Sequence, residues 1–242
     1  MAPIDELRIL VPVDVSDPDP TRLGVLDLLD PLEVVLLGYF PVPDQAEPAL
    51  IRSEYEDEAE SRLRDVAGGR SDLTEVLVFT HDRETTIDRV ADQYDCDAVL
   101  SVREIDDIGR ILVPLRGDVN IERIVSVTAR LLQASDATVT LFHSVAEDAD
   151  ESYGEFLLRG ATDRLVEFGI DEARVDWEFS ESGDPQAEIV QLGGEYDIVV
   201  LGESEPSLGD RIIGRVLSHV VDELESPALI VRDTEPGDEG ET

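Results

Sequence analysis

The 242-residue chain contains no lysine and a single cysteine, Cys96. One cysteine excludes an internal disulfide, so the fold must rest on packing alone. Aromatic residues are only 5%, which leaves Val, Leu, Ile and Ala to build the core. No apolar run approaches the roughly 20 residues that span a bilayer. The opening Met1-Ala2-Pro3-Ile4-Asp5-Glu6 lacks a basic segment followed by an apolar one, so no secretory signal is expected. These absences point to a soluble cytoplasmic protein.

Positive charge is also scarce. All 19 basic residues are Arg, set against 57 Asp and Glu, for a net charge of -38. Phosphate backbones and anionic lipids would repel such a chain, and no Arg cluster offsets this. Nucleic-acid binding and membrane insertion are therefore not expected. Disorder would need low hydrophobicity, yet 42% of residues are apolar. The alternative is a folded protein of salt-adapted, haloarchaeal-type composition, in which concentrated salt screens the self-repulsion.

A repeat organises the rest. Arg8-Ile9-Leu10-Val11-Pro12-Val13 returns as Arg110-Ile111-Leu112-Val113-Pro114-Leu115, offset by 102. Tyr94-Asp95-Cys96-Asp97-Ala98-Val99-Leu100 is matched to Tyr196-Asp197-Ile198-Val199-Val200-Leu201, at 102 falling to 101. The period is that of a whole domain. In the second half, apolar runs predict strands at 110–115, 137–144, 174–179, 198–201 and 228–231. Amphipathic stretches predict helices at 121–134, 151–168, 185–195 and 212–225. Phe156, Leu157, Leu165 and Phe168 share the apolar side of the second of these. Pro185 and Gly193-Gly194 bracket the third as start and stop signals. The first half predicts strands at 9–13, 34–40, 76–80 and 98–102, with helices at 21–29, 53–67 and 85–93. Only 103–109 then separate it from the second half, so its last helix and strand are missing. Strands alternating with helices imply parallel sheets covered on both faces. The expected fold class is α/β, with two tandem open parallel-sheet, Rossmann-like units. Their bounds are 1–105 (truncated) and 106–232, followed by an acidic, disordered tail at 233–242.

The opening Ile-Leu-Val-Pro-Val-Asp at Ile9 to Asp14 resembles the universal stress protein family. So do Tyr39-Phe40-Pro41-Val42-Pro43, His143-Ser144-Val145, Tyr196 to Gly202, and Ser226-Pro227-Ala228-Leu229-Ile230-Val231-Arg232. The resemblance implies an adenine nucleotide α-hydrolase-like fold with a five-stranded parallel sheet, and dimerisation, often through the last strand, here Ala228 to Val231. A subset of the family binds ATP. In those members an Asp ends the first strand and contacts the nucleoside, and Gly-x2-Gly-x9-Gly-(Ser/Thr) after the fourth strand wraps the phosphates. By this match the nucleotide-binding candidates are Asp14, Gly202 and Gly214. The match is incomplete. The first half has Asp14 but runs from Ser101-Val102-Arg103-Glu104 into the linker with no phosphate loop. The second half has Arg116 at the strand-end position, Glu205 for the middle glycine and Arg215 for the hydroxyl residue. Glu203, Glu205 and Asp210 add negative charge where phosphates would sit, partly offset by Arg211 and Arg215.

Other residues point to structural roles. His81, His143 and His219 have no neighbours at ligand spacing, so no metal site is expected. Cys96 reads as a small core residue; Asp14-Val15-Ser16-Asp17-Pro18-Asp19, which lacks the glycine and terminal Glu of a calcium loop, reads as a turn and helix cap; and Glu54, Glu56, Asp57, Glu58 and Glu60 read as a solvated helix face. No Gly-x-Ser-x-Gly elbow supports Ser-His-Asp chemistry, and no catalytic residue is assigned. The expectation is a non-enzymatic stress-response or regulatory protein that forms a homodimer or binds a protein partner and takes no cofactor. The alternatives are an ATP- or AMP-binding sensor or weak ATPase with a divergent loop, and an adenylating enzyme. The latter group's Ser-Gly-Gly-x-Asp-Ser loop is absent.

Overall fold

The structure is a computed structural model that describes residues 7–18, 29, 32–101, 108–116, 120–144, 151–180, 184–203, 220–221 and 223–233. In chain order the first half gives β1 (Arg8–Asp14), β2 (Glu33–Pro41), α1 (Pro48–Ala67), β3 (Thr74–Thr80), α2 (Arg83–Gln93) and β4 (Ala98–Ser101). The second gives β5 (Arg110–Pro114), α3 (Ile121–Gln133), β6 (Thr138–Ser144), α4 (Glu151–Glu167), β7 (Val175–Ser180), α5 (Pro185–Gly193), β8 (Ile198–Gly202) and β9 (Ala228–Val231). Of the predicted helix at 21–29 only residue 29 is among the described residues, and of that at 212–225 only 220–221 and 223–225. Everything beyond Asp233 lies outside them.

All nine described strands form one sheet, in the order β3-β2-β1-β4-β9-β8-β5-β6-β7. Each half repeats the same sequence of strands, β3-β2-β1-β4 and β7-β6-β5-β8, and every pairing within a half is parallel. Continuous apolar runs such as Ile9 to Val13 are buried on both faces, as parallel strands between two helix layers must be.

The halves meet through β9. It runs parallel to β8 and antiparallel to β4, with Ala98 opposite Val231 and Ser101 opposite Ala228. This corrects one expectation: Ala228 to Val231 is not an edge open to a second copy, because both its sides are occupied within the chain. The reason lies in the truncation. Among the described residues the first half has no fifth strand of its own; β1 pairs with one side of β4, and β9 satisfies the backbone groups of the other. The antiparallel joint also reverses the sheet, so strands of the two halves point their carboxyl ends to opposite edges.

The two faces are built differently. Under α1, α3 and α4 lies one continuous core holding residues of both halves, including Ile9, Leu36, Leu63, Leu100, Ile111, Val125, Leu158, Leu229 and Val231. The opposite face carries two separate clusters. Ile87, Val90 and Cys96 close over Leu10 and Leu37 in the first half. Ile189, Val220 and Leu224 close over Leu112 and Ile230 in the second.

Local features refine the sequence reading. Helix α1 starts at Pro48 rather than 53, with proline in the first turn, where its missing N–H costs nothing. Phe156 is 75% exposed rather than on the buried side of α4; with Ile121, Val125 and Leu157 it lines a shallow groove. Gly193 is buried within α5, and a Cβ there would come 2.3 Å from Leu224. Its cause is packing, and Gly194 is right-handed, so neither is a left-handed cap.

The repeated strings meet as a clamp. Asp197 accepts from the backbone N–H groups of Gly109 and Arg110 at 2.9 and 2.8 Å. In the first half the same job falls to Asp97, which accepts from Arg8 N at 2.9 Å. Strand pairing agrees, with Ile9 opposite Ala98 and Ile111 opposite Ile198. Strands β4 and β8 are thus offset by 100 where β1 and β5 are offset by 102, and the first half holds two extra residues after Tyr94. Asp95, with φ 50°, sits in that insertion.

Candidate functional site

In open α/β sheets ligands bind beyond the carboxyl ends of the strands. This chain has two such ends, on opposite edges of the sheet. At the first, β1 delivers Asp14. Its Oδ1 accepts from Ser16 N at 2.8 Å and Ser16 Oγ at 2.6 Å, closing a tight turn. Arg62 of α1 donates to the carbonyls of Val15 and Ser16 at 2.8 and 3.0 Å and pins the same turn. The Tyr39 phenol is raised above its ordinary value by burial, opposed by Arg83 and reinforced by Asp14. The Arg83 guanidinium lies 5.4 Å from the centre of the Tyr39 ring. Asp82 caps α2 by accepting from Thr85 N at 3.0 Å, and the hydrogen bonds from Thr85 hold its carboxyl below the usual range. His81 faces the Val42 carbonyl through Nδ1 at 3.1 Å, which requires the proton on that nitrogen.

At the other end Arg116 follows β5 and is exposed. His143 is buried, its Nδ1–H donating to the Leu115 carbonyl at 2.7 Å. Gly154 of α4 lies against its ring, where a Cβ would approach to 2.7 Å. Ser144 donates to Glu188 at 2.9 Å, and Ser180 donates to the other oxygen of the same carboxylate. Gly202 ends β8; a Cβ on it would come 2.5 Å from Ile124 Cδ1, so close packing of α3 accounts for this glycine. Glu203 donates its N–H to Val231 O at 2.7 Å and accepts from Asp233 N at 3.1 Å. Gly214, with Glu205, Asp210, Arg211 and Arg215, lies outside the described residues. So does His219. The structure therefore does not bring Asp14 and Gly202 together. Among the described residues no group of three or more His, Cys, Asp or Glu side chains is placed to hold a metal ion. None of their helices is long and apolar enough to cross a membrane.

Sequence reasoning missed a polar constellation that surrounds the β4–β9 joint. Arg232 ion-pairs with Asp92 at 2.5 Å and donates to Cys96 O at 3.3 Å. Its own carbonyl accepts from Asn120 Nδ2 at 3.0 Å and Arg123 at 3.1 Å, and Arg123 Nε lies 3.6 Å from Asp97. The Arg8–Asp97 and Arg110–Asp197 correspondence was the signal that could have drawn attention there. Burial also pushes the Cys96 thiol up to about 12, so it is no nucleophile at neutral pH.

Asp88 of α2 sits beside this joint, and burial raises its carboxyl to about 6. Arg232 opposes the rise; Glu203, Asp92 and Glu84 add to it. Unfolded, it titrates near 3.9. The folded protein thus holds an extra proton between about pH 4 and 6, and stability falls as pH rises through that window. Asp88→Asn should gain about 1 kcal/mol at pH 7.5, discounted for partial solvent exposure, and nothing near pH 4. Urea midpoints at the two pH values check this; equal midpoints for variant and parent at pH 7.5 would refute it.

The doubly wound sheet, with switch points at β1/β4 and β5/β8, defines a Rossmann-like α/β protein. The sequence model of the universal stress protein family matches residues 108–232, just over half of the chain, and the chain belongs to that family. Solved structures agree on the fold. A universal stress protein from Archaeoglobus fulgidus DSM 4304 superposes with TM-score 0.61 at 14% identity, covering 95% of this chain and 97% of that one. A putative universal stress protein from Pseudomonas aeruginosa UCBPP-PA14 gives 0.60 at 14% identity, covering 95% and 94%. A functionally unknown protein from Pseudomonas aeruginosa PAO1 gives 0.57 at 15% identity, covering 95% and 93%. No curated protein matches.

Proposed function

We propose that this stress-response protein is not an enzyme and acts in the cytoplasm by self-association or by binding a protein partner, without ATP. Its units are residues 1–105, truncated, and 106–232, in tandem. One observation carries the reading: the remnants of a nucleotide site are divided between opposite sheet edges. Asp14 stands on one edge with its inner oxygen taken up by Ser16. Gly202 stands on the other, where Arg116 occupies the position matched to Asp14. A carboxylate and a glycine loop on opposite edges cannot grip one nucleotide. The charge of -38 supports a protein partner over nucleic acid or an anionic membrane.

Titration calorimetry of the full chain with ATP and with AMP in 3 M KCl tests this. No saturable heat is expected up to about 1 mM ligand. Micromolar affinity would instead establish the nucleotide-sensor reading, with the divergent loop as its site, and ATP turnover would make it a weak ATPase.

A further inference from the structure

Among the described residues the sheet has two end strands, β3 and β7. An end strand presents backbone N–H and C=O groups to any chain that can add to it, and proteins usually blunt such edges with charge, proline, bulges or a covering segment. Strand β7 is blunted: Asp176 and Glu178 alternate with its apolar residues. Its Trp177 is tied back by donating from Nε1 to Thr162 Oγ1 at 2.7 Å. Strand β3 is different. Val76-Leu77-Val78-Phe79 contain neither charge nor proline and are half-exposed. The strand pairs with β2 without a bulge from Thr74 to Thr80, and no described strand lies on its outer side. It is also held firmly. Phe79 stacks on Phe40 at 5.0 Å, while Val76 and Val78 pack on the opposite face.

The strand reads Thr-Glu-Val-Leu-Val-Phe-Thr, nearly a palindrome about Leu77. In an antiparallel pair of two copies centred there, Thr74 faces Thr80, Val76 faces Val78, Leu77 faces its own counterpart and Glu75 faces Phe79. Threonine pairs and β-branched pairs favour such a ladder, and no carboxylate opposes another. In a chain of net charge -38, a self-complementary edge that carries a single charged residue, Glu75, is where like molecules can approach. We propose that two copies pair antiparallel along Thr74–Thr80 across a twofold axis, extending the sheet. This rests on the self-association reading above and moves its site away from Ala228 to Val231. Seven residues of strand pairing make a small interface, and repulsion between two acidic chains fades with salt. The dimer should therefore form in concentrated salt and dissociate in dilute buffer.

Sedimentation equilibrium of the full chain at about 100 μM, in 3 M and 0.1 M KCl, gives the first readout, with dimer expected only at high salt. Val76→Lys with Val78→Lys places lysines opposite one another and should weaken the dimer at least about tenfold, with folding checked by circular dichroism. Leu77→Cys provides a milder second variant. In the proposed register the two Cβ atoms lie about 5 Å apart, so a short bismaleimide should join two copies. The parent chain, whose Cys96 is buried, and Asp176→Cys on β7 should not cross-link. Monomer at every salt concentration overturns both this edge and the self-association reading. A dimer that survives the lysine pair, or a Leu77→Cys chain that dimerises without cross-linking, overturns the edge alone.

Discussion

Leu229→Ala should cost about 3 kcal/mol, within the 2–5 kcal/mol typical of emptying a core leucine site, and should lower the stability of both halves together. Leu229 is fully buried in β9, opposite Leu100 of the first half and Val200 of the second. It belongs to the one core that runs beneath α1, α3 and α4. A cavity there removes contacts from both halves at once, and β9 supplies the backbone partners that β4 would otherwise lack. The change should therefore move a single transition rather than expose a stable remnant. Urea unfolding followed by Trp177 fluorescence reports the second half, since the chain has one tryptophan. Amide exchange in β1 and β2 reports the first. The two probes should shift by the same amount. A shift confined to Trp177, with β1 and β2 still protected, would show that the halves unfold independently and that the shared core does not couple them.

This coupling was only partly legible in the sequence. The strands and helices were, because buried parallel strands leave continuous apolar runs and their covering helices leave a 3.6-residue period. Ile9 to Val13, Ile198 to Leu201 and Ala228 to Val231 are examples. The missing last strand of the first half was legible as well, from the short interval between Ser101 and Arg110. Its consequence was not. Ala228 to Val231 has the same apolar pattern whether its second neighbour is another molecule or β4 of its own chain, since pairing partners are set by tertiary geometry rather than local preference. For the same reason Phe156 read as core: its periodicity matches Leu157 and Leu165, but no described residue covers that part of α4. At the candidate site, Asp14 was found at its strand end as expected, while its capture by Ser16 depends on a turn that spacing alone leaves open. Gly202 sits where the family match puts it, yet Ile124 accounts for it by packing. The clamp aspartate of the first half was misaligned by two residues because Tyr94-Asp95 mimics Tyr196-Asp197, and only strand register separates the mimic from the true equivalent.

Raising KCl from 0.1 to 3 M should increase the melting temperature by about 10–20 °C, the equivalent of several kcal/mol for a chain of this size. The sign follows from the charge. Folding concentrates a net charge of -38 into a compact particle, and the repulsion is strongest in dilute buffer. The available cations do little to offset it. Arg52–Glu56, Arg62–Glu58, Arg64–Glu60 and Arg70–Asp72 pair locally, each with at least one well-exposed partner. Such pairs contribute about 0–1 kcal/mol each. At molar salt the screening length shrinks to about 3 Å, which silences repulsion between acids on neighbouring helices. Ion pairs in direct contact, such as Arg232–Asp92 at 2.5 Å, lose less because solvent ions cannot enter between the partners. Salt should thus remove more repulsion than attraction. Because the core is continuous across β9, the gain should appear as one shifted transition and not as the rescue of one half. Thermal melts in a KCl series test the argument, with sulfate avoided because it strengthens apolar burial independently of charge. A melting temperature that is flat or falling with KCl would mean that the fold tolerates its charge without screening.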